Sequence, residues 1–502
     1  MVSRGMIPIT TTVDLTKQKI SLEVLKLLSV DYIRRNTVLP LEIKANKLSV
    51  AMSDPSNLKV ARDVQSMTGY ELEIVTASSQ SIGEALDRHL KTLSAAAYCK
   101  DLDFSGGAPE TRSSQTIDRL FEIAMDRRTS DIHLEPQPSG LFVRLRIDGV
   151  LHTIHEFPKT QMAALTSRIK IMAAMDIAEK RLPQDGQINV QVRDKKIDLR
   201  ISTLPGKHGE KVVIRLLDKS ATLLNLGHLG MDAKLQSQFE TLVDKPQGII
   251  LVTGPTGSGK STTLYAVLNR LKSPFKNIIT LEDPIEFDLI TADSHEAGAT
   301  QVQMHPKIGL TFAAGLRASL RQDPDIIMVG EIRDQETAEV AIKSAMTGHL
   351  VLSSLHTNSA PETIGRLRDI GIESYLIAST VLGIMAQRLV RVLCKSCKSP
   401  YELPERALKS IFPERVTTAK VTLYRPKGCA ECQGSGYWGR RGIYELLVMN
   451  EAIRELIHRD VRSAEIKKAA QAQGMKTLRE SGLDLVFQGS TTVDEVFRNT
   501  VE

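Results

Sequence analysis

The spacing of apolar and polar positions changes along the chain, and the changes mark out separate units. Leu22, Leu25, Leu27 and Leu28 recur at helical spacing, whereas Lys47-Leu-Ser-Val-Ala-Met-Ser53 has the composition of a strand and stops at the Asp54-Pro55 turn. Together they describe a small α/β module over residues 1–100. The stretch Asp103-Phe-Ser-Gly-Gly-Ala-Pro-Glu-Thr-Arg-Ser-Ser-Gln115 is rich in Gly and Ser and poor in apolar residues, which predicts a linker over 101–115. A second unit, 116–225, opens on a helical run at Ile117. It then alternates apolar and polar residues through Leu141-Phe-Val-Arg-Leu-Arg-Ile-Asp148 to a turn at Asp148-Gly149. A helix around Met162 to Met175 and a strand at Lys211-Val-Val-Ile-Arg-Leu-Leu217 complete a mixed α/β domain, strand-dominated.

From 226 to 390 the alternation gives way to short continuous apolar runs: Gly248–Thr253, Ile278–Leu281, Ile326–Val329 and Leu350–Leu355. Such runs belong to parallel strands buried on both faces. The first leads straight into Gly254, Pro255, Thr256, Gly257, Ser258, Gly259, Lys260, Ser261 and Thr262, which matches GxxxxGK[ST] in the strand-to-helix context that the motif requires. Its glycines let backbone N–H groups wrap phosphate oxygens, and the N-terminus of the following helix adds a favourable dipole. Lys260 is expected to reach the β- and γ-phosphates of ATP, and Ser261 to ligate Mg²⁺. A nucleotide-free Gly-rich turn is the structural alternative.

Hydrolysis needs further groups to hold the metal and to orient or deprotonate water. Two more runs end in acids, Glu282-Asp-Pro-Ile-Glu286 and Gly330-Glu-Ile-Arg-Asp334, at the strand ends where open parallel sheets bind ligands. Glu331 and Glu286 are the chosen candidates, Glu331 also for Mg²⁺, with helix capping or surface pairing as the alternative for these acids. His349 and His356 bracket the fourth run and could sense the γ-phosphate.

Composition narrows the picture. A chain of 502 residues, 42% hydrophobic and 25% charged, is ordinary globular protein of several domains. A net charge of +6 separates neither membrane from nucleic-acid partners, but only 4% aromatic residues with dispersed basic ones argue against nucleic-acid binding. Met1 to Val30 mixes charges with short apolar runs, so no export signal is expected. The uncharged run Ser374 to Gln387 is too short to span a bilayer. Without export, Cys394, Cys397, Cys429 and Cys432, two Cys-x₂-Cys pairs, favour a structural Zn²⁺ over disulfides, with reduced core thiols or a redox pair as alternatives. Cys99 stands alone and receives no role.

The succession GPTGSGKST, LEDPIE, RQDPDIIMVGEIRD and TGHLVLSSLHTN resembles the secretion ATPases that drive type II secretion and type IV pilus assembly. Ser130-Asp-Ile-His-Leu-Glu-Pro136 and Arg181-Leu-Pro-Gln-Asp-Gly186 extend the resemblance over nearly the whole chain. It implies an α/β, RecA-like P-loop domain preceded by two smaller α/β domains, the second PAS-like. A tetracysteine element over 391–440 and a helical region over 441–502 would follow. Lys260 becomes the Walker A lysine, Glu331 the Walker B glutamate, Glu286 an Asp-box acid, and His349 and His356 the His box. Arg200 and Arg215 match arginines that reach the nucleotide, a solvated strand face being the alternative.

The resemblance further implies a cytoplasmic homo-hexamer held at the inner face of the bacterial inner membrane by platform proteins. Tetracysteine elements mark secretion and assembly motors of this family, and no AIRNLIRE-like retraction signature is present. The N-terminal module resembles one that binds the platform or a cyclic dinucleotide, but RLG-type repeats are not evident, which argues against the dinucleotide. The short N-terminal region and Gly439-Arg-Arg-Gly-Ile-Tyr-Glu-Leu446 favour type II secretion over pilus assembly. A nucleic-acid translocase and a non-hydrolysing scaffold stand as the contrasting classes.

Overall fold

Four sheets organise the described residues, and the period of the sequence explains most of them. The computed structural model describes residues 9–86, 112–217, 225–289, 298–403 and 421–500, less short breaks at 16–17, 19, 26, 29, 45–46 and 194, together with 408 and 411–412.

The N-terminal sheet holds β1 (Ile9–Thr12), β2 (Val38–Lys44), β3 (Lys47–Met52) and β4 (Glu71–Thr76) in the order β1-β4-β3-β2. The helix Leu58–Thr68 crosses from β3 to β4. Asn57 starts it by accepting from the Val60 N–H, and Gly69 ends it in the left-handed conformation that a side chain disfavours. The core of this module continues into the far end of the chain, where Leu423, Phe412, Val493 and Val496 join Ile33 and Leu39. Arg35 also donates to the Arg498 carbonyl at 2.7 Å.

The second sheet is wholly antiparallel: β5 (Thr129–Pro136), β6 (Gly140–Ile147), β7 (Val150–Pro158), β8 (Gln184–Val192), β9 (Lys195–Gly206) and β10 (Gly209–Leu217), ordered β7-β6-β5-β10-β9-β8. Ile132, Leu134, Val212 and Ile214 lie in the core with residues of the helices Arg112–Asp126 and Lys159–Met172. On the opposite face Asp131 and Glu135 of β5 pair with Arg215 and Lys211 of β10 and give that face its charge. The first of these helices starts at Arg112, so the end of the expected linker is helical. Burial of Thr116, Ile117, Leu120 and Phe121 outweighs the Ser-rich local signal. Residues 101–111 lie outside the described residues.

The third sheet contains β11 (Gly248–Thr253), β12 (Ile278–Glu282), β13 (Ala299–Gln303), β14 (Ile326–Val329), β15 (Leu350–Leu355), β16 (Val381–Leu393) and β19 (Tyr437–Val448). Their order is β13-β12-β14-β15-β11-β16-β19. All neighbours pair in parallel except β16 with β19. Alternate β11 residues feed two cores: Ile249 and Leu251 face one, Ile250 and Val252 the other. Covering both faces is what the continuous apolar runs require.

A two-stranded ribbon, β17 (Ser399–Glu402) with β18 (Thr422–Arg425), lies between β16 and β19 in sequence. Residues 441–448 are therefore strand, correcting the expected helical region. Their apolar side chains are sandwiched in the central sheet, and the helices of this end begin at Glu451. No helix of the described residues is long and apolar enough to cross a membrane.

Candidate active site

The parallel order brings the C-terminal ends of β11, β12, β14 and β15 to one edge of the sheet. There the loop after β11 turns through Gly254 (φ +152°), Gly257 (φ +77°) and Gly259 (φ +90°) into the helix Lys260–Leu271. The first and last cannot be replaced freely. A Cβ at Gly254 would stand 2.5 Å from Ser258 Oγ, and one at Gly259 would stand 3.1 Å from Gln387 Nε2. Ser258 Oγ is buried and has no hydrogen-bond partner among the described residues. Lys260 Nζ lies over the loop, donating to the carbonyls of Gly254 at 2.9 Å and Pro255 at 3.2 Å. Burial pulls its pKa down, and the charges of Glu331 and Glu286 oppose that pull, which brings both acids into the electrostatic field of this lysine.

Glu331 is set on a pinned segment. The Gly330 N–H donates to Leu281, Ser354 Oγ donates to the Gly330 carbonyl at 2.7 Å, and the Ile332 N–H donates to the Ser354 carbonyl at 3.1 Å. The Glu331 carboxylate, mostly buried, pairs with Arg333 and stands 3.4 Å from His356 Nε2. Burial is the main cause that lowers the His356 pKa, aided by Lys260 and opposed by Glu331, so the imidazole favours its neutral form. Asp334, three residues on, is a cap, accepting from the Thr337 N–H at 2.8 Å. One motif thus divides between an acid at the strand-end edge and a helix cap.

Thr253 fixes the neighbouring edge. Its Oγ1 accepts from the Thr357 N–H at 2.9 Å and donates to the Leu355 carbonyl at 3.1 Å, holding His356 from both sides. This residue escaped the sequence reading, although a polar residue closing an apolar strand immediately before the Gly-rich loop was a visible signal.

His349 is separated from this edge. It precedes β15 whereas His356 follows it, so six strand residues, about 20 Å, lie between the two. Its Nδ1 faces the Ser344 carbonyl at 2.8 Å and its own carbonyl accepts from the Gly248 N–H at the start of β11. Within one chain, strand geometry removes it from the site to which the sequence assigned it. Arg200 and Arg215 are register partners on the charged face of the second sheet, where Arg215 Nε meets Asp131 Oδ1 at 3.1 Å. Among the described residues no hydrogen bond or ion pair joins either to the loop 254–262.

Glu282 does something other than Glu286. It is buried, accepts from Tyr265 Oη at 2.5 Å, Thr280 Oγ1 at 2.6 Å and Gln301 Nε2 at 3.1 Å, and burial raises its pKa. Gln301 and Tyr265 hold the following loop in turn: Gln301 donates to the Phe287 carbonyl and accepts from the Leu289 N–H, while Tyr265 Oη accepts from the Phe287 N–H. The hub therefore anchors the segment carrying Glu286. Glu282→Gln is expected to keep kcat within about threefold of the parent, because the hub needs polar contacts and not a charge. Glu282→Leu should lose about 1–3 kcal/mol of stability, since it strands buried donors. A hundredfold loss of kcat in the Gln variant would instead place Glu282 in the chemistry.

Cys394, Cys397, Cys429 and Cys432 converge at the end of β16, all four Sγ atoms lying within 4.8 Å of one another. Cys394 to Cys429 is 3.9 Å, and Cys397 to Cys432 and Cys429 to Cys432 are each 3.7 Å. A tetrahedral metal with bonds of about 2.3 Å to sulfur demands edges of about 3.8 Å, whereas a disulfide needs about 2.05 Å. The donor set fits a four-thiolate metal centre. The N–H groups of Cys429 and Gly436, both 3.2 Å from Cys432 Sγ, add the donors that a coordinated thiolate accepts.

Residues 110–498 match the model of the Type II/IV secretion system protein family, and residues 6–96 that of the MshEN domain. The type IV pilus assembly ATPase PilB of Myxococcus xanthus is 44% identical over 95% of this chain and 87% of its own. Type II secretion system protein E of Pseudomonas aeruginosa is 52% identical over 77% of this chain and 75% of its own. Among solved structures, the pilus retraction motor PilT with bound ADP aligns with a TM-score of 0.51 at 27% identity, covering 77% of this chain and 97% of that one.

Proposed function

This chain belongs to the Type II/IV secretion system protein family and is an ATPase of it; from that premise we propose that it is a hexameric cytoplasmic motor powering type II protein secretion through pseudopilus assembly. Platform proteins would hold it peripherally at the inner face of the bacterial inner membrane. The observation that carries the catalytic part is the placement of Glu331 on a pinned loop between Arg333 and His356, within the field of Lys260.

The residues present fit ATP and Mg²⁺. Gly254 to Thr262 would hold the phosphates, with Lys260 on the β- and γ-phosphates, and Ser261, with help from Glu331, would ligate the metal. Bound Mg²⁺ supplies charge neutralisation on the phosphates. Glu331 takes the proton of the attacking water, Glu286 orders water or metal from the neighbouring loop, and neutral His356 donates a hydrogen bond toward the γ-phosphate. Arg200 and Arg215 act on a neighbouring subunit's nucleotide, which gives the hexamer a chemical reason. The tetracysteine centre takes structural Zn²⁺. Four sulfur ligands leave no position for water, so this metal has no part in hydrolysis.

The 52% identity to the P. aeruginosa type II secretion protein, and the segment Gly439-Arg-Arg-Gly-Ile-Tyr-Glu-Leu446, support the secretion reading. One observation favours type IV pilus assembly as a second reading: the likeness to M. xanthus PilB runs over 95% of the chain, N-terminal module included. Deleting the gene and assaying both culture medium and cell surface separates the two. Loss of exported proteins with pili intact is expected, and loss of pili with export intact would sink the secretion assignment. Purified chain should contain one zinc per protomer, and a metal-free preparation with full activity and stability would remove the zinc.

A further inference from the structure

A phosphate loop aims its N–H groups inward, and geometry then turns carbonyls outward, where any that are buried require donors from the surrounding fold. The Ser258 carbonyl is one of these. Its donor comes from β16, outside every motif of the sequence. β16 runs parallel to β11 with Thr253 opposite Ala386, so the next residue, Gln387, comes level with the start of the loop. Gln387 is 2% exposed. Its Nε2 donates to the Ser258 carbonyl at 2.8 Å, and its Oε1 accepts from Thr263 Oγ1, one turn into the helix that follows the loop, also at 2.8 Å.

We propose that Gln387 is a positioning residue of the phosphate site, its side-chain amide bridging the loop carbonyl of Ser258 and the helix hydroxyl of Thr263 so that the loop N–H groups stay aimed at phosphate. Only a side chain with one donor end and one acceptor end fits this bridge. Glutamate would set an anion against the Ser258 carbonyl, and methionine, of similar length, would leave both partners unpaired in a buried place. The small residue at 259 belongs to the same device, because a Cβ there would press on Gln387 Nε2.

The backbone of Gln387 is braced as well. Its carbonyl accepts from Arg388 Nη1 at 2.9 Å, and Arg388 Nη2 donates to the Asn358 carbonyl at 3.0 Å, close to His356. Arg388 is itself 9% exposed. The bridge is thereby tied to the edge of the site that holds His356. The inference rests on the ATPase activity and is independent of which machine the motor drives.

The test uses the full chain with Gln387→Met, Thr263→Val, the double variant, and Lys260→Ala as a control on the site itself. Equilibrium binding of fluorescent mant-ADP, steady-state hydrolysis and thermal unfolding without nucleotide are measured for each. Gln387→Met is expected to raise the mant-ADP Kd and the KM for ATP about tenfold, with kcat falling less than about threefold and Tm by no more than about 5 °C, since one buried bridge at the loop is lost. Thr263→Val should raise Kd about threefold. The double variant should bind no worse than Gln387→Met alone, because the two residues share one interaction.

Wild-type Kd in Gln387→Met would overturn the proposal, as would losses of affinity that merely track a falling Tm. If Gln387→Met does not fold, unchanged binding in Thr263→Val overturns it just as well. Hydrolysis persisting in Lys260→Ala would strike at the assignment of the loop and not at the bridge.

Discussion

Glu331→Gln is expected to bind ATP with near-parental affinity and to hydrolyse it at least about a hundredfold more slowly. An amide keeps the shape of the carboxylate but cannot take a proton, and a positioned general base is worth about 10²–10⁴ in rate. The proposed binding surface lies elsewhere, on the loop after β11 and at Lys260, so affinity and turnover should separate. Arg333 pairs with Glu331 yet is largely exposed, and its contribution to placing the acid should be smaller than that of Ser354, which is buried. Measuring kcat and mant-ADP binding on the same assembled preparation checks the prediction. A Gln variant with more than about a third of the parental kcat would move the base to Glu286.

The second large effect lies far from the nucleotide. Glu495→Ala should destabilise the C-terminal region by about 3–5 kcal/mol, the usual consequence of stripping one partner from a buried ion pair. Glu495 is fully buried. Its Oε1 accepts from Arg391 Nε at 2.9 Å and Nη2 at 2.5 Å, and its Oε2 accepts from the Arg391 N–H at 3.1 Å and Arg498 Nη2 at 3.0 Å. Arg391 also stacks on the Tyr437 ring, 4.0 Å from its centroid. The pair ties β16 to the helix Val493–Asn499, whose residues share a core with the N-terminal module.

Burial works against the charge of Glu495, but Arg391 and Arg498 outweigh it, so the carboxyl ionises below the ordinary glutamate range. The stabilisation is therefore complete above the unfolded-state pKa, about 4.3, and is lost as pH falls through the lower folded-state value. Melting curves of parent and Glu495→Gln should differ near neutral pH and converge in acid. A difference that stays constant down to the lowest pH at which the fold survives would show that the charge is not what matters.

Much of the site was legible because its signals are local. Gly254 to Thr262 announces itself by composition, since few residues other than glycine tolerate the φ values at 254, 257 and 259. The apolar runs before Glu282, Glu331 and His356 are legible for an equally local reason: a strand buried on both faces has no polar alternation to offer. The two Cys-x₂-Cys pairs named their own cluster, although nothing in their spacing shows that β16 delivers one pair and the turn before β19 the other.

What the chain alone determined, then, is the identity and order of the chemical groups, because backbone conformation at glycines, strand burial and thiol chemistry are written in short stretches. Tertiary structure decided which of those groups meet. Parallel pairing put His356 beside Glu331 and His349 at the opposite end of the same strand; burial turned Glu282 into an anchor for the loop that carries Glu286. The antiparallel partner β16 made strand of residues 441–448. Gln387 became part of the phosphate site across more than a hundred residues of chain. Such meetings depend on register and packing between distant segments, and no local pattern of residues encodes them.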